Sequence, residues 1–402
     1  MDGRAEVTWW LGRGPSPQVF RELFVDPFNA SQGDVRLELV VLDSDARNRT
    51  VRALESGAGP DIVMVPRAGD FVTLAGAGYL ADLSAYAATF DWASRLLAPA
   101  ALLAHLDGKL YGLPRSVETM LLLSNRDVLA ELGAAAPPAT LAELEVVADR
   151  ALRSGVDPFA GGCADLPESC ELLWTLVMNH HAGPALVRAA LRGEVSWSSD
   201  VFVDAIEQLV SWFDRGWFGP DYFTRTIDSG LDALTHGAAA MAPAMTGMLP
   251  ADESRLDASP FPSLREGVPT PVYIFGTASL VGINAASPAA SAAAQVLDAL
   301  FDPGVRRRFS EREPGDWNIP LATRADAGPR SLVTATTGVI DAVGAGRAGW
   351  ASWSYLPPRS EALITDQMRP LMEGRLPARA HLNALDDVLR HERQTGPVPG
   401  IA

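Results

Sequence analysis

The chain has 402 residues, with 49 acidic against 33 basic side chains and a formal net charge of −16 at pH 7. That balance argues against a nucleic-acid partner, which needs clustered Lys and Arg for its phosphates, and does nothing to exclude a neutral ligand. The length suggests two or three domains, the 48% hydrophobic fraction is ordinary for a globular protein, and no apolar run reaches the roughly 18 residues of a membrane span.

Glu6 to Leu11 reads as a β run ending in the loop Gly12-Arg13-Gly14-Pro15, and ligands of open α/β sheets sit at such strand ends. Gln18 to Phe28 has helical spacing, Val35 to Leu42 alternates as a strand, Ala46 to Glu55 is helical up to the stop at Gly57, and Asp61 to Pro66 is a buried strand. This βαβαβ order predicts a parallel sheet with crossover helices. GAGYLA at 76 to 81 matches a dinucleotide fingerprint only formally, since it closes a helix instead of joining strand to helix.

Asp107 to Leu129 reads as a turn, a short extended piece, a break at Pro114, and the buried strand Met120 to Leu123 running into a helix. Arg115, Ser116 and Glu118 form a polar interruption between two apolar strands, which suits a chain leaving one lobe, crossing a cleft floor and entering another. Ala130 to Ser154 is helical, with Pro137-Pro138 at its start and Thr140 as N-cap. Leu166 to His181 is a helix carrying Trp174, Ser199 to Arg215 is a third closed by Gly216, and Gly230 to Gly237 leads into a strand at Ala238 to Met241. Pro250 to Thr270 is a long polar loop, Val272 to Phe275 enters Gly276 to Ile283, and Ser287 to Asp302 is a helix. Trp317-Asn318-Ile319-Pro320 is a loop, and Ser331 to Gly344 and Ser360 to Gln394 are helices; there is no internal repeat.

Motifs for covalent chemistry are missing: there is no HExxH or GxSxG, and Lys109, the only lysine, sits in no phosphate loop. His180 and His181 point about 100° apart on a helix, which predicts solvated helix-end side chains and no shared ligand. Ten tryptophans are more informative. Trp9, Trp10, Trp317, Trp350 and Trp353 lie in loops or at strand ends, where an indole packs into a core or faces a ligand. Sugars present apolar C–H faces to such rings and hydroxyls to carboxylates, amides and Arg. Cys163 and Cys170, with six residues between them in GGCADLPESC, look like a small disulfide-closed loop of an oxidising compartment, worth roughly 2.5 kcal/mol. Two unpaired thiols are the alternative; a zinc site with His180 and His181 wants four well-spaced ligands.

DGKLYGLP, followed by an apolar strand and SNRDVLAELGAAAPPATLAELEVVAD, resembles the first interlobe crossing of the family 1 extracellular solute-binding proteins, the sugar receptors of ABC importers. LESGAGPDIVMV at 54 to 65, GYLADL at 78 to 83, THGAAAMAPAMTGM at 235 to 248 and VGINAASP at 281 to 288 follow in that family's order, so the resemblance covers nearly the whole chain. It implies a two-lobed α/β periplasmic-binding-protein fold, each lobe a mostly parallel sheet flanked by helices, with a ligand cleft between lobes. Residues 1–116 with 278–326 would form the N-terminal lobe and 117–277 with 327–402 the C-terminal lobe. It further implies a monomer that binds an oligosaccharide or glycoside and hands it to ABC permease subunits, with no cofactor, no metal and no covalent chemistry. Such receptors are periplasmic or extracellular, some lipid-anchored; the opening MDGRAEVTWW lacks a secretory leader, and export favours the disulfide.

Residue by residue, Glu118 stands where the maltodextrin-binding branch places a ligand-contacting carboxylate, and Trp353 and Tyr355 fall near its aromatic platform. Arg13 and Arg67 follow strands at which the family has polar contacts, with a surface salt bridge as the alternative for both. Met248 replaces a tryptophan of that branch, and Val65 or Pro66 another aromatic residue, and both departures argue against maltodextrin itself as the ligand. Trp9, Trp10, Arg115, Trp174, Tyr273, Phe275 and Trp317 complete the expected ligand-contacting set. An enzyme acting on glycans and an intracellular sensor domain of the same fold are the competing readings.

Overall fold

The computed structural model of the chain describes residues 3–11, 17–42, 46–250, 252–277, 279–313, 315, 317–323 and 328–401, with backbone alone for residues 46, 47 and 168. Two compact units emerge: Met1–Val117, Thr277–Gly328 and Gly396–Ala402 make unit 1, and Glu118–Gly276 with Pro329–Thr395 make unit 2. The last stretch, Gly396–Ala402, groups with unit 1, where the sequence reading assigned it to the second lobe. Its contacts explain this: Pro397 lies against Gly76, and Gly400 against the carbonyl of Leu102.

In unit 1 the strand Ala5–Leu11 pairs in parallel with Val35–Val41 on one side and Ile62–Val65 on the other. Leu280–Ile283 and Gly112–Pro114 extend the sheet. Alternation along Ala5–Leu11 turns Val7, Trp9 and Leu11 into the core. There Trp9 meets Phe20 at 5.1 Å and Trp317 at 5.4 Å between ring centres, and Phe20 meets Trp317 at 4.4 Å. Trp317 adopts φ 49°, a left-handed conformation costing an L-residue about 1–2 kcal/mol; burying its large ring offsets that.

Two of the sequence landmarks lock onto each other in this unit. Thr8 donates to Asp61 through its backbone N–H at 2.7 Å and its hydroxyl at 2.8 Å, and the Ser287 hydroxyl donates to the other carboxylate oxygen. Asn284 donates its amide to the carbonyls of Ala58 and Pro60 while its own carbonyl accepts from Ala286 N. The GPD at 59 to 61 and the NAAS at 284 to 287 are therefore one hydrogen-bonded clamp between adjacent strands. Asp61→Ala removes a carboxyl acceptor from three donors and is expected to cost about 2–3 kcal/mol in urea unfolding. A loss within about 0.5 kcal/mol, the range of ordinary surface changes, would reduce the clamp to a surface contact.

In unit 2 the strand Met120–Asn125 is buried throughout and pairs antiparallel with Ala239–Met245 and Leu256–Ser259, while Asp157–Phe159 joins Ala239–Met245 in parallel. Leu256–Ser259 lies inside what the sequence reads as a loop. In each sheet a single strand opposes the rest, Leu280–Ile283 in unit 1 and Met120–Asn125 in unit 2. Each is the first strand after the chain changes unit. Asn125 then caps the next helix, accepting from Asp127 N and Val128 N, and Thr140 with Glu143 forms a complete capping box on Leu141–Arg153. Asp200–Asp214 presents Phe202, Ile206, Leu209 and Trp212 inward. The C-terminal helical region is two helices, Pro358–Met372 and Ala378–Thr395, broken at Gly374 with φ 68°.

The histidine expectation is overturned. Glu171–Val177 continues as a π turn at Met178–Ala182, and Gly183 at φ 93° leads into a further helix, Pro184–Leu191. His180 and His181 are therefore inside the fold, not at a solvated end. Burial pushes His180 down to about 3, with the Pro262 carbonyl opposing, and lowers His181, helped by the charge of Arg265. The expected disulfide is likewise absent. Cys163 and Cys170 are buried and not joined to each other by a disulfide, and Cys163 is lowered chiefly by a hydrogen bond with Cys170. Among the described residues no helix is long and apolar enough to cross a membrane.

Candidate functional site

Glu118 opens unit 2 and forms a two-way backbone bridge with Gly276, N to O at 2.8 Å and O to N at 2.9 Å. This fixes the carboxylate against the segment Ala351–Tyr355, whose indole Trp353 donates Nε1–H to Glu118 Oε2 at 2.8 Å. Glu118 is only 3% exposed, so the indole N–H matters: a buried carboxylate without donors would be costly. Trp353 itself is half-buried.

Two glycines keep the approach narrow. A Cβ on Gly276 would stand 2.6 Å from Ala351 Cβ and 2.9 Å from Trp353 Nε1, so no other residue fits beside the indole. A Cβ on the exposed Gly247 would stand 3.5 Å from Glu118 Oε1. Gly247 is held over the carboxylate because Thr246 N donates to Thr119 O at 3.0 Å and Thr119 N to Thr246 Oγ1 at 3.3 Å. Met248, next along, is half-buried and lines a small, mostly apolar cavity of about 50 Å³ with Pro243, Phe218 and Tyr222. The sequence marks Gly276 only as part of a Gly-rich crossing and is silent on Gly247; their clearance depends on side chains far away in the chain.

The remaining expected contacts separate by unit. In unit 1, Trp9 and Trp317 are core residues, 0% and 2% exposed. Trp10 and Arg67 are half-buried, Arg67 at the N-terminal end of Ala68–Gly76. Arg115 is half-buried with its guanidinium carbon 5.6 Å from the Trp317 ring centre, while Ser116, expected to face open space, is fully buried. Arg13 lies outside the described residues. In unit 2, Trp174 is a core residue that donates to His381 Nε2 at 3.1 Å and lies 5.2 Å from Trp197. Phe275 is buried next to the Glu118 bridge. The Tyr273 ring occupies space that a Cβ on Gly338 would enter, approaching to 2.1 Å. Tyr355 is buried edge-on to Trp350 at 4.9 Å, and burial pushes its phenol well up.

Glu118 and Trp353 are thus two expected contacts joined by a hydrogen bond, an acceptor beside a half-buried aromatic ring. The arrangement suits reversible capture of a polyhydroxylated ligand. Among the described residues no group of three or more His, Cys, Asp or Glu side chains could hold a metal ion. Residues 24–319 match the model of a family described as bacterial extracellular solute-binding protein.

The chain belongs to that family. Solved structures of solute-binding proteins share its fold. A chitin oligosaccharide binding protein is 17% identical at a TM-score of 0.79, the match covering 96% of this chain and 99% of the other. A probable secreted solute-binding lipoprotein of Streptomyces coelicolor is 20% identical at 0.76, covering 97% and 99%. A maltose-bound protein of T. maritima is 17% identical at 0.73, covering 96% and 99%. No curated protein sequence matches the chain.

Proposed function

We propose that this solute-binding protein captures a carbohydrate, an oligosaccharide or glycoside, and delivers it to the membrane subunits of an ABC importer without chemical change. The observation that carries this reading is the Glu118 to Trp353 hydrogen bond at 2.8 Å. It aligns a carboxylate, which accepts from sugar hydroxyls, with an indole face, which covers the C–H side of a pyranose ring. The names of similar structures, a chitin oligosaccharide binding protein and a maltose-bound protein, support the same ligand class. Gly247 and Gly276 bound the room at the pair and thereby restrict which ring can lie there. The protein acts outside the membrane as a monomer in this proposal.

A thermal-shift screen across sugars, oligosaccharides, polyols, amino acids and polyamines tests it. A ligand at 100 times its Kd adds about 2.7 kcal/mol to native stability, so the matching sugar should raise the melting temperature by several degrees. Stabilisation by an amino acid or polyamine alone, with every carbohydrate inert, would sink the carbohydrate assignment and leave the solute-binding family intact.

A further inference from the structure

Many arginines of unit 2 are matched to acids. Arg215 pairs with Glu145 and Asp149, Arg225 with Asp157 and Asp221, and Arg379 with Asp200. Around one cavity three of them are not. The helix Pro184–Leu191, the segment at 265 to 269 and the turn at 346 to 350 enclose an open cavity of about 270 Å³. Arg188, Arg265 and Arg347 line it, and no Asp or Glu does. Among the described residues these three arginines have no ion-pair partner. In a chain carrying 49 acids to 33 bases, three uncompensated guanidiniums around one cavity run against composition, and their mutual repulsion falls when an anion sits among them.

The backbone adds donors of the same sign. Gly183, at φ 93°, offers no side-chain cap to the helix, and Pro184 has no N–H. Val187 N is the first to close back, onto Gly183 O at 3.1 Å. The N–H groups of Ala185 and Leu186, both on the cavity wall, have no acceptor among the described residues. Arg265 is anchored at the helix start, donating Nε–H to His181 O at 2.9 Å and reaching Ala182 O at 3.5 Å. Val268, Pro269 and the half-buried Trp350 supply apolar lining to the same cavity.

We propose that this cavity binds a phosphomonoester. The three guanidiniums and the two free N–H groups take the tetrahedral dianion, and the organic part lies on Trp350. A carboxylate, with one charge and two oxygens, would leave guanidinium donors unused, whereas a phosphate presents three oxygens and up to two charges to forked donors. A bare phosphate leaves the apolar lining without an occupant. The site shares no residue with the Glu118 and Trp353 pair and does not depend on the carbohydrate reading.

Isothermal titration with phenyl phosphate, with inorganic phosphate, and with sodium chloride at matched ionic strength tests it on the full chain. Phenyl phosphate is expected to bind about tenfold more tightly than inorganic phosphate, a difference of 1.4 kcal/mol. The double substitution Arg188→Gln with Arg347→Gln should weaken phenyl phosphate by at least about tenfold. Both side chains are exposed, so the unliganded melting temperature should hold, and circular dichroism verifies the fold. Retention of binding in the double variant, or an equal response to sodium chloride, overturns the site. Equal affinity for the two phosphates overturns the ester and leaves free phosphate as the ligand.

Discussion

Lowering the pH from 7 to 5 should remove about 4 kcal/mol of folding stability, from two histidines alone. His180 is held down to about 3 by complete burial and His381 to about 4 by burial, against an ordinary value of 6.5. A depressed folded value means that the unfolded chain binds the proton more readily. The stability is therefore present above 6.5 and is lost as pH falls towards 4 and then 3, at about 2 kcal/mol for each histidine by pH 5. Geometry agrees for His381. Gln367 Oε1 accepts at its Nδ1 at 2.8 Å while Trp174 donates to its Nε2 at 3.1 Å, so a second ring proton would point at an indole N–H. His181 is lowered as well, first by burial and then by Arg265, and acts in the same direction. Urea titrations at pH 7 and 5 measure the loss, and His381→Gln, which preserves an acceptor for Trp174, should flatten the dependence by about half. Equal stability at the two pH values would mean that the histidines are hydrated in solution.

Trp353→Ala should weaken carbohydrate binding about 60-fold. Stacking covers about 100 Å² of apolar ring at about 25 cal/mol/Å², or roughly 2.5 kcal/mol. The substitution also strips Glu118 of its indole donor, so some of the loss will appear as lower stability. Gly276→Ala tests the same contact without deleting the indole. It leaves both side chains in the sequence yet puts a methyl 2.9 Å from Trp353 Nε1 and 2.6 Å from Ala351 Cβ, and it should displace the indole with a comparable loss of affinity. Glu118→Gln keeps an oxygen acceptor for Trp353 and removes the charge, at an expected 1–3 kcal/mol of binding energy. Calorimetric titration with the sugar found by thermal shift reads all three. Affinity within twofold in both Trp353→Ala and Gly276→Ala would return Trp353 to a packing role.

Local pattern was enough for the elements whose signal is local. The apolar run at 120 to 123, the Thr140 and Glu143 capping pair, and the i, i+3, i+4 spacing of 200 to 214 each specify their own structure, because backbone hydrogen bonds and one buried face are satisfied within a few residues. The ordered landmarks also sufficed to name the family. Which side chains are solvent-facing was decided elsewhere. Trp317 and Trp353 both read as loop residues in the sequence, yet Trp317 closes the aromatic cluster around Trp9 and Phe20 while Trp353, in the short helix Ser352–Tyr355, reaches Glu118 across 235 positions. His180 and His181 looked terminal until Gly183 redirected the chain into another helix and Phe261 closed over the first of them. The clamp of Asp61 with Asn284 and Ser287 and the three arginines around one cavity join segments far apart in the chain. Burial and charge pairing are sums over neighbours, and only the folded chain determines which neighbours those are.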